Sequence, residues 1–301
     1  MPQDTKSVFV AITGKPNVGK SSLLNRLINQ KIAIVSNKPQ TTRNKITGIL
    51  TQDKIQYVFI DTPGFHKRMT KLSDFMLKQI NESVKGIDLC LLLVDARSKL
   101  IGSHEQDLIQ TLKNLKIPII LVLNKIDKLK DKSQLISTIE LYSNILKFDE
   151  AIPISVNEND GIDILLKVIS QYTNLSPHFF PEDLVTDQME RFLVSEIVRE
   201  KILRNIHDEI PHGVAVVVES MKERQAGKII DIDAYIYCEK YNHKGIIIGK
   251  GGKLLKKIAT ESRIDIERLL SKKINLKCWI KVKDNWRNND TWIKNLGYIG
   301  N

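Results

Sequence analysis

Near the amino terminus, glycine, lysine and serine residues have the spacing of a phosphate-binding loop. The stretch consists of Gly14, Lys15, Pro16, Asn17, Val18, Gly19, Lys20, Ser21 and Ser22. The two glycines let the backbone fold so that successive N–H groups point inward and bind an anion. Lys20 supplies a positive charge for the outer phosphates of a nucleotide, and the Ser21 hydroxyl suits Mg²⁺. The pattern therefore predicts a nucleoside triphosphate site with magnesium.

The residues around this loop predict the elements that position it. Residues 8–12 form a short apolar run typical of a buried strand, and apolar residues at 23, 24, 27 and 28 recur with helical spacing. A loop that ends at a helix N-terminus places phosphates at the positive end of the helix dipole. A strand, the loop and a helix in this order favour a nucleotide site over a simple turn.

Strand-like and helical patterns alternate over the first 170 or so residues. Further strand-like runs occupy 55–60, 88–94, 119–123 and 151–154, and helical patterns such as 72–84 and 105–115 separate them. Buried strands that alternate with helices predict an α/β domain with a doubly wound, mostly parallel sheet. Ligands of such sheets bind beyond the carboxyl ends of the strands. The next two motifs fall at such strand ends.

The first of these motifs follows residue 60 and consists of Asp61, Thr62, Pro63 and Gly64. A carboxylate there can reach Mg²⁺ through water, and the glycine N–H can meet a γ-phosphate. The second motif follows residue 123 and includes Asn124, Lys125 and Asp127. A carboxylate at 127 can accept from both N1–H and the N2 amine of guanine, a donor pair that adenine lacks. Each motif alone is also typical of a turn, but the three in order predict a guanine nucleotide site.

The composition limits the class of protein. A chain of 301 residues is long enough for two domains, and 42% hydrophobic content is ordinary for a globular protein. No run approaches the roughly 18–20 apolar residues that span a bilayer, and the first residues lack a basic-then-apolar signal. Three distant cysteines predict reduced thiols, so we expect a cytoplasmic protein.

The carboxyl-terminal part combines a second glycine-rich motif with concentrated positive charge. Two prolines at 177 and 181 predict a linker over 176–186; a helix over 188–206 and strands over 214–218, 229–237 and 275–283 follow. Residues 240–283 carry 13 Lys or Arg against three Asp or Glu, in a chain of net charge +11.

We expect Trp279 to lie in the core of this region and Trp286 and Trp292 to pack the tail, with base stacking by the last two as the alternative.

The glycine motif leads from an apolar run at 246–248 into a basic helix that ends near residue 270. Glycines let a nucleic-acid backbone approach closely, and lysines around them bind its phosphates. The alternative is a helix N-terminal turn with solvated lysines. The charge of the window favours single-stranded RNA, and the predicted contact residues are Lys244, Gly249, Lys250, Gly251, Gly252, Lys253, Lys256 and Lys257.

The nucleotide motifs, in this order, resemble those of the translation-factor class of GTPases. The resemblance implies that residues 39–43 are the first switch segment and that Thr42 binds Mg²⁺ together with Ser21 and Asp61. It implies that Ser155, Val156 and Asn157 contact the base from the far side, although Val156 replaces the family's usual alanine.

The same resemblance bears on catalysis. Phe65 stands where related switch proteins carry the glutamine that orients the attacking water, and His66 is an exposed-loop residue rather than a replacement base. Members with an apolar residue there often carry asparagine at the position of Asn17 and use K⁺ to neutralise phosphate charge. The resemblance therefore implies slow hydrolysis of GTP that depends on Lys20, Thr42, Gly64 and Asn17.

Nearly the whole chain is similar to a family of bacterial GTPases that act in ribosome assembly. These proteins join one GTPase domain to one small α+β KH domain of type II, which here implies a GTPase domain over 1–175, a linker over 176–186 and a KH domain with tail over 187–301. The resemblance implies a monomeric switch that uses GTP, GDP and Mg²⁺, binds the 3′ end of small-subunit (16S) rRNA, and assists maturation of the small ribosomal subunit.

Peripheral contact with the cytoplasmic face of the inner membrane is a further implication, to which the lysine patch would contribute. Two other interpretations remain open at this point. One is a passive RNA-binding protein whose bound nucleotide is structural. The other is a membrane-surface signalling GTPase whose basic patch binds anionic lipid.

Overall fold

The computed structural model describes residues 4–38, 41–64, 70–83, 86–114, 116–206, 210–224 and 227–298. The chain divides into two compact units. The first comprises the described residues within 1–33, 42–67 and 76–187, and the second those within 34–41, 68–75 and 188–301. The division in space therefore does not follow a single point along the chain.

A mostly parallel sheet forms the centre of the first unit. Its strands are β1 (Lys6–Gly14), β2 (Ile46–Gln52), β3 (Ile55–Asp61), β4 (Leu89–Asp95), β5 (Ile119–Asn124), β6 (Glu150–Ile154) and β7 (Asn174–Leu175). In space they run in the order β2-β3-β1-β4-β5-β6, and β7 pairs with β1. The pairs β1–β3, β1–β4, β4–β5 and β5–β6 are parallel, whereas β2 and β7 pair antiparallel to their neighbours.

Helices connect these strands, as crossovers between parallel strands require. They are α1 (Lys20–Ile28), α2 (Lys71–Ser83), α3 (Ser103–Lys113), α4 (Gln134–Ser143) and α5 (Ile162–Ile169). Strands β4 and β5 are apolar almost throughout because both of their faces are covered; Leu91 and Leu121, for example, are fully buried. The predicted α/β fold with a mostly parallel sheet is confirmed. Strand β2, which the sequence pattern does not predict, is an antiparallel addition at the sheet edge.

The strand register sets the position of the site. Asp61, at the end of β3, lies opposite Ile12 of β1, and Asn124, at the end of β5, lies opposite Asp95 of β4. Because these strands are parallel, their carboxyl ends meet at one edge of the sheet. The phosphate loop leaves β1 at that same edge.

The second unit contains a three-stranded sheet and its helices. Its elements are α6 (Glu190–Asn205), β8 (Ala215–Arg224), β9 (Ile229–Cys238), α7 (Tyr241–Ile248), α8 (Lys253–Leu270), β10 (Lys273–Val282) and α9 (Asp290–Asn295). Strand β9 lies in the centre, antiparallel to β8 and parallel to β10. Residues of α6, α8 and the sheet share one apolar core that includes Ile202, Ile236 and Ile258. This is the predicted smaller α+β domain.

The longest helix in the part of the chain that the structure describes is α8. Helix α8 has 18 residues and begins with lysines at 253, 256 and 257. Within the part of the chain that the structure describes, no helix combines the length and the apolar character needed to cross a membrane.

Two details of the second unit differ from the sequence predictions or go beyond them. The prediction that Trp279 lies in the core is wrong, because 52% of its surface is exposed. Cys278, Ile280 and Val282 pack against the core, so strand alternation turns Trp279 to the other face of the sheet. The apolar run at 246–248 is the end of a helix, α7.

Trp286 packs the tail, as predicted. It is fully buried, and its indole N–H donates to the carbonyl oxygen of Gly213 at 2.9 Å. Trp292 is half-buried and lies against Tyr237, with ring centroids 5.9 Å apart.

Segments from the amino-terminal half of the sequence belong to the second unit. Arg199 of α6 is buried, pairs with Glu196, and donates to the carbonyl oxygen of Thr41. Glu200 is also buried and accepts from the backbone N–H of Val35 at 3.1 Å. A buried charge is stable only when it is paired and hydrogen-bonded, so these contacts hold Val35 and Thr41 against α6.

The 70–75 segment has partners in the tail of the second unit. The Lys71 ammonium pairs with Asp290 at 2.5 Å, and its backbone N–H donates to the Asn288 side chain at 3.3 Å. The Phe75 ring lies edge-on to Tyr298, with centroids 6.3 Å apart. The start of α2 is therefore part of this unit.

Candidate functional site

The phosphate loop lies between the end of β1 and the start of α1. The buried Lys20 ammonium donates to the carbonyl oxygens of Gly14 at 3.0 Å and Lys15 at 2.9 Å, so the lysine lies across the loop. Gly14, Asn17 and Gly19 have positive φ. A side chain at Gly14 would place Cβ 2.2 Å from the Leu93 carbonyl oxygen. The backbone path therefore requires glycine at this end of the loop.

The three predicted magnesium ligands lie together beside this loop. The Ser21 hydroxyl is 2.6 Å from Asp61 Oδ2 and 2.8 Å from the Thr42 hydroxyl. The second carboxylate oxygen of Asp61 is buried and has no hydrogen-bond partner. An unsatisfied buried carboxylate oxygen beside two hydroxyls suits a hard cation such as Mg²⁺. The residues present therefore fit the ion that the sequence predicts.

The protonation of this centre also fits a site that binds a cation and an anion. Burial raises the pKa of Asp61 to about 6, although the Lys20 charge and the Ser21 and Thr42 hydroxyls act in the opposite direction. Burial lowers the pKa of Lys20 to about 8, against the attraction of Asp61. Both charges are thus buried, and bound phosphate and metal would add compensating charge beside them.

Magnesium in nucleotide sites uses few protein ligands, because phosphates and water complete its coordination. The described residues contain no cluster of three or more His, Cys, Asp or Glu that could hold a metal by themselves. One carboxylate and two hydroxyls therefore fit a cation that is held jointly with a nucleotide, and they would not form a closed protein cage.

Asn124 connects three segments of the site. Its amide nitrogen donates to the Val18 carbonyl at 2.8 Å, and its amide oxygen accepts from the backbone N–H of Lys125 at 2.8 Å and of Val156 at 3.2 Å. At Gly19, a Cβ atom would lie 2.4 Å from that amide nitrogen. The position of Asn124 thus links the phosphate loop to both predicted base-binding loops.

Asp127 and Ser155 lie side by side in those loops. The Ser155 hydroxyl donates to Asp127 Oδ1 at 2.6 Å, which orients the exposed carboxylate and leaves Oδ2 available for a ligand. The Lys125 ammonium donates to the Asn17 carbonyl at 2.6 Å, so its stem spans from the base loop to the phosphate loop. The Asn157 amide contacts its neighbour Glu158 at 2.7 Å.

The remaining predicted residues lie around the phosphates. Thr62 is buried and its hydroxyl donates to the Ile12 carbonyl at 3.0 Å. Gly64 lies against Pro16, because a Cβ on this glycine would come within 3.0 Å of the proline ring. Ser22 is half-buried on α1, and Pro63, which follows Thr62, is buried. Residues 39, 40, 65 and 66, which include the predicted Phe65 position, lie outside the described residues.

Sequence reasoning missed two acidic residues that hold lysines of the site. Glu105 is buried, pairs with Lys15 and accepts from the Tyr142 hydroxyl at 2.7 Å. Asp95 pairs with Lys125 at 3.1 Å and with Arg97. Although partial burial acts to raise the pKa of Asp95, hydrogen bonds from Arg97 and Lys125 hold it well below its usual range. The position of Asp95 at the end of a parallel strand is a signal that could have found it.

The predicted RNA-binding residues surround the turn between α7 and α8. Gly249, Gly251 and Gly252 have positive φ, and Cβ atoms on the last two would meet nothing within 4 Å. A Cβ on Gly249 would lie 2.6 Å from Cβ of Leu254, so this glycine is needed for the turn itself. The turn therefore leaves open space above its backbone, where a phosphate chain could approach.

The lysines flank this open turn. Lys250, Lys253, Lys256 and Lys257 are exposed along the turn and the first two turns of α8. Lys244 is half-buried, with its ammonium 5.8 Å from the ring centroid of Tyr241, which is 79% exposed. Seven of the eight predicted residues thus lie in the turn and the start of α8, and Lys244 lies in the preceding helix α7.

Comparisons with known proteins agree with both halves of this description. Residues 9–125 match the family model of the 50S ribosome-binding GTPases, and residues 209–287 match the KH domain model. The chain is 52% identical over 296 residues to GTPase Era of Ruminiclostridium cellulolyticum and 50% identical over 293 residues to GTPase Era of Clostridioides difficile. These matches cover 98% and 97% of this chain, and 98% of each relative.

Two solved structures are similar over almost the full length. One is a crystal structure of Era in complex with MgGDPNP and nucleotides 1506–1542 of 16S ribosomal RNA, and the other is a single-residue variant of Aquifex aeolicus Era bound to GDP·AlF4⁻. Each has a TM-score of 0.94 and 34% identity, and the match covers 98% of this chain and 100% of the other. With its nucleotide site, its KH fold and this end-to-end similarity, the chain belongs to the Era family of GTPases.

Proposed function

We propose that this GTPase acts as a switch whose nucleotide state controls the binding of small-subunit rRNA, and that it assists maturation of the small ribosomal subunit. The proposal rests on the presence of two sites on one chain. One is suited to Mg²⁺ and a triphosphate, and the other is a KH fold with an open turn that lysines flank. We infer a cytoplasmic monomer with a GTPase domain over 1–175 and a KH domain over 187–301.

In the nucleotide site, Lys20 would bind the outer phosphates, and Ser21, Thr42 and Asp61 would hold Mg²⁺ directly or through water. The metal would supply positive charge to the phosphates as the terminal group is transferred to water. Asp127, oriented by Ser155, would select guanine. The Gly64 N–H would meet the terminal phosphate.

Hydrolysis in this proposal relies on positioning and on charge rather than on a general base. Asn17 has positive φ, and its carbonyl accepts from Lys125, which fixes the loop around it. We propose that Asn17 would help to hold K⁺ against the phosphates, and that this ion would supply part of the positive charge that an arginine supplies in assisted switch proteins. Turnover without an activator would be slow.

The KH turn would bind the single-stranded 3′ end of 16S rRNA. The positive φ and open Cβ positions of Gly251 and Gly252 let a sugar–phosphate chain lie close to the backbone. Each phosphate that Lys250 or Lys253 neutralises would release counterions, so binding would weaken steeply with salt. The same lysines would attract anionic lipid, so the protein would also make peripheral contact with the cytoplasmic face of the inner membrane.

Coupling between the nucleotide and RNA would pass through the 34–41 segment. The Thr41 carbonyl accepts from Arg199 of the KH unit, and the next residue, Thr42, contacts the Ser21 hydroxyl. A change in the ligands of Thr42 would therefore alter the segment that lies on α6. Because coupling between two binding sites is reciprocal, RNA would change nucleotide affinity by the same factor.

The test measures binding of a labelled RNA with the sequence of 16S nucleotides 1506–1542 by fluorescence anisotropy, with a non-hydrolysable GTP analogue or with GDP. We expect RNA to bind at least fivefold more tightly with one nucleotide than with the other. By linkage, RNA should change the ratio of the affinities for the GTP analogue and GDP by the same factor. The double variant Lys250→Glu, Lys253→Glu should bind this RNA more weakly and keep its nucleotide affinity. Equal RNA affinity in both nucleotide states would refute the switch, and unchanged RNA affinity of the variant would refute the role of the turn.

A further inference from the structure

The sheet of the second unit has a face on which none of the sites proposed above lies. Along β9 and β10, Ile236, Cys238, Ile274 and Ile280 point to the core shared with α6 and α8, and the alternate residues point the other way. We call the outward set the open sheet face. Its members include Asp231, Asp233, Tyr235, Tyr237, Asn275, Lys277, Trp279 and Lys281.

Aromatic rings and ammonium groups alternate on the open sheet face. Trp279 lies opposite Tyr235 in the strand register, and Lys281 lies opposite Tyr237. The Lys281 ammonium is 3.7 Å from the centroid of the Tyr235 ring and 6.0 Å from that of Tyr237. Trp279, at 52% exposure, therefore presents much of its indole to solvent, and a cation is held beside it.

The array continues into the tail. Trp292 lies against Tyr237, and the Lys283 ammonium is 4.4 Å from the centroid of the Trp292 ring. Two lysine–aromatic pairs thus lie next to each other at this end of the sheet. Because ammonium groups already lie over the Tyr235 and Trp292 rings, the exposed Trp279 indole is the ring that this array offers to a planar partner.

The charge of the open sheet face is positive where the rings are. Lys277 and Lys281 are exposed on either side of Trp279 in the outward set. Of the nearby acids, Asp231 is engaged by Arg224 at 2.9 Å and by Asn275 at 2.7 Å, and Asp233 lies opposite Lys277 in the register. Asp233 therefore lies beside Lys277 at one end of the ring array, whereas Lys281 lies at the other end, beside Tyr235 and Tyr237.

Exposed aromatic rings between lysines are the chemistry that binds single-stranded nucleic acid without strict sequence preference. Bases stack on the rings, and the ammonium groups follow the backbone phosphates. An acidic peptide could use the lysines but would leave the indole unstacked, and a lipid surface needs no planar partner. The combination of rings and charges therefore favours RNA.

We propose that the open sheet face binds a second stretch of single-stranded RNA, distinct from the stretch at the glycine turn, with a base stacked on Trp279 and phosphates on Lys277 and Lys281. The proposal rests on the RNA-binding function proposed above and extends it to a second surface of the same unit. RNA longer than the glycine turn can hold would thus have two points of attachment, which raises its affinity through effective concentration.

The test uses the full-length protein and 5′-fluorescein-labelled oligouridylate of 20 nucleotides, with binding followed by anisotropy. Stacking of one base contributes about 1–3 kcal/mol, so Trp279→Ala should weaken binding by about tenfold. Trp279→Phe should restore most of the affinity, because phenylalanine also stacks. Ile136→Ala, which removes an exposed apolar side chain on α4, is the matched control and should leave affinity unchanged.

A second measurement separates the two surfaces. With 4-thiouridine in the oligonucleotide, irradiation should crosslink RNA to the peptide containing residues 273–283, and this adduct should persist in the Lys250→Glu, Lys253→Glu variant. The proposal for the open sheet face would be refuted if Trp279→Ala bound RNA with full affinity. It would also be refuted if the adduct formed in the unmodified protein but not in the Lys250→Glu, Lys253→Glu variant. Neither result would contradict the glycine-turn site. Absence of RNA binding by the unmodified protein would overturn the proposed function itself.

Discussion

The burial of the Asp61 carboxylate predicts that the nucleotide-free protein is destabilised by its own metal ligand. Burial raises the pKa of this carboxyl from an ordinary 3.8 to about 6. The folded state therefore binds more protons than the unfolded state between these pH values, and stability falls as pH rises through that range. Since one pKa unit corresponds to about 1.36 kcal/mol, ionisation of Asp61 costs about 3 kcal/mol once the pH exceeds about 6.

Asp61→Asn keeps the shape of the side chain and its ability to accept from Ser21, but it removes the charge. In EDTA and without nucleotide, the variant should be about 3 kcal/mol more stable than the original protein at pH 7, and the difference should disappear as the pH approaches 4. In the original protein the pKa of Lys20 is about 8, so this lysine stays charged over most of the pH range in which Asp61 titrates. The assay is urea unfolding of both proteins at intervals between pH 4.5 and 7.5, followed by circular dichroism.

The addition of Mg²⁺ and GDP should reverse the order. The original protein gains stability from ligand binding, whereas the variant lacks the carboxylate that the metal needs. Asp95→Asn is the control of opposite sign: its hydrogen bonds to Arg97 and Lys125 favour the ionised form, so neutralisation should destabilise the protein at pH 7. A variant Asp61→Asn that is less stable than the original at pH 7 in EDTA, or a stability difference independent of pH, would refute the reasoning.

Three further perturbations test other parts of the site. Asp127→Asn should lower affinity for GDP by at least a hundredfold and raise affinity for xanthosine diphosphate, as measured by calorimetry; retained preference for GDP would contradict the assignment. Asn17→Ala should abolish stimulation of hydrolysis by K⁺ over Na⁺ and spare GTP binding, and equal phosphate release in both salts by the unmodified protein would exclude a role for K⁺. Gly19→Ala, whose Cβ would lie 2.4 Å from the Asn124 amide, should lower stability more than Gly297→Ala, where φ is also positive but no atom lies within 4 Å; equal unfolding midpoints would contradict this.

The buried strands and phosphate motifs could be predicted because local sequence determines them. Apolar runs specify β4 and β5, and glycines at positions of positive φ specify the loop between β1 and α1. Strand β2 was not predicted, since its sequence mixes threonine, glycine and glutamine with apolar residues. Its burial depends on pairing with β3, and that contact is not encoded in either segment alone.

The error at Trp279 has a physical cause. Large aromatic residues are buried on average, but in β10 the alternation of the strand places Trp279 on the same face as the lysines. The buried pair of Lys15 and Glu105 could not be predicted, because nothing local to residue 105 indicates that α3 brings it to the phosphate loop. Contacts of this kind depend on the packing of elements that are distant in sequence.

The membership of the 34–41 segment in the second unit affects how this protein can be dissected. A fragment that begins at residue 188 would contain Arg199 and Glu200 but neither the Thr41 carbonyl nor the Val35 N–H that they contact. Two side chains that are shielded in the intact chain would then face water or seek new partners. Excised halves of this polypeptide are therefore poor substitutes for the whole, and measurements on an isolated carboxyl-terminal piece would describe an incomplete structure.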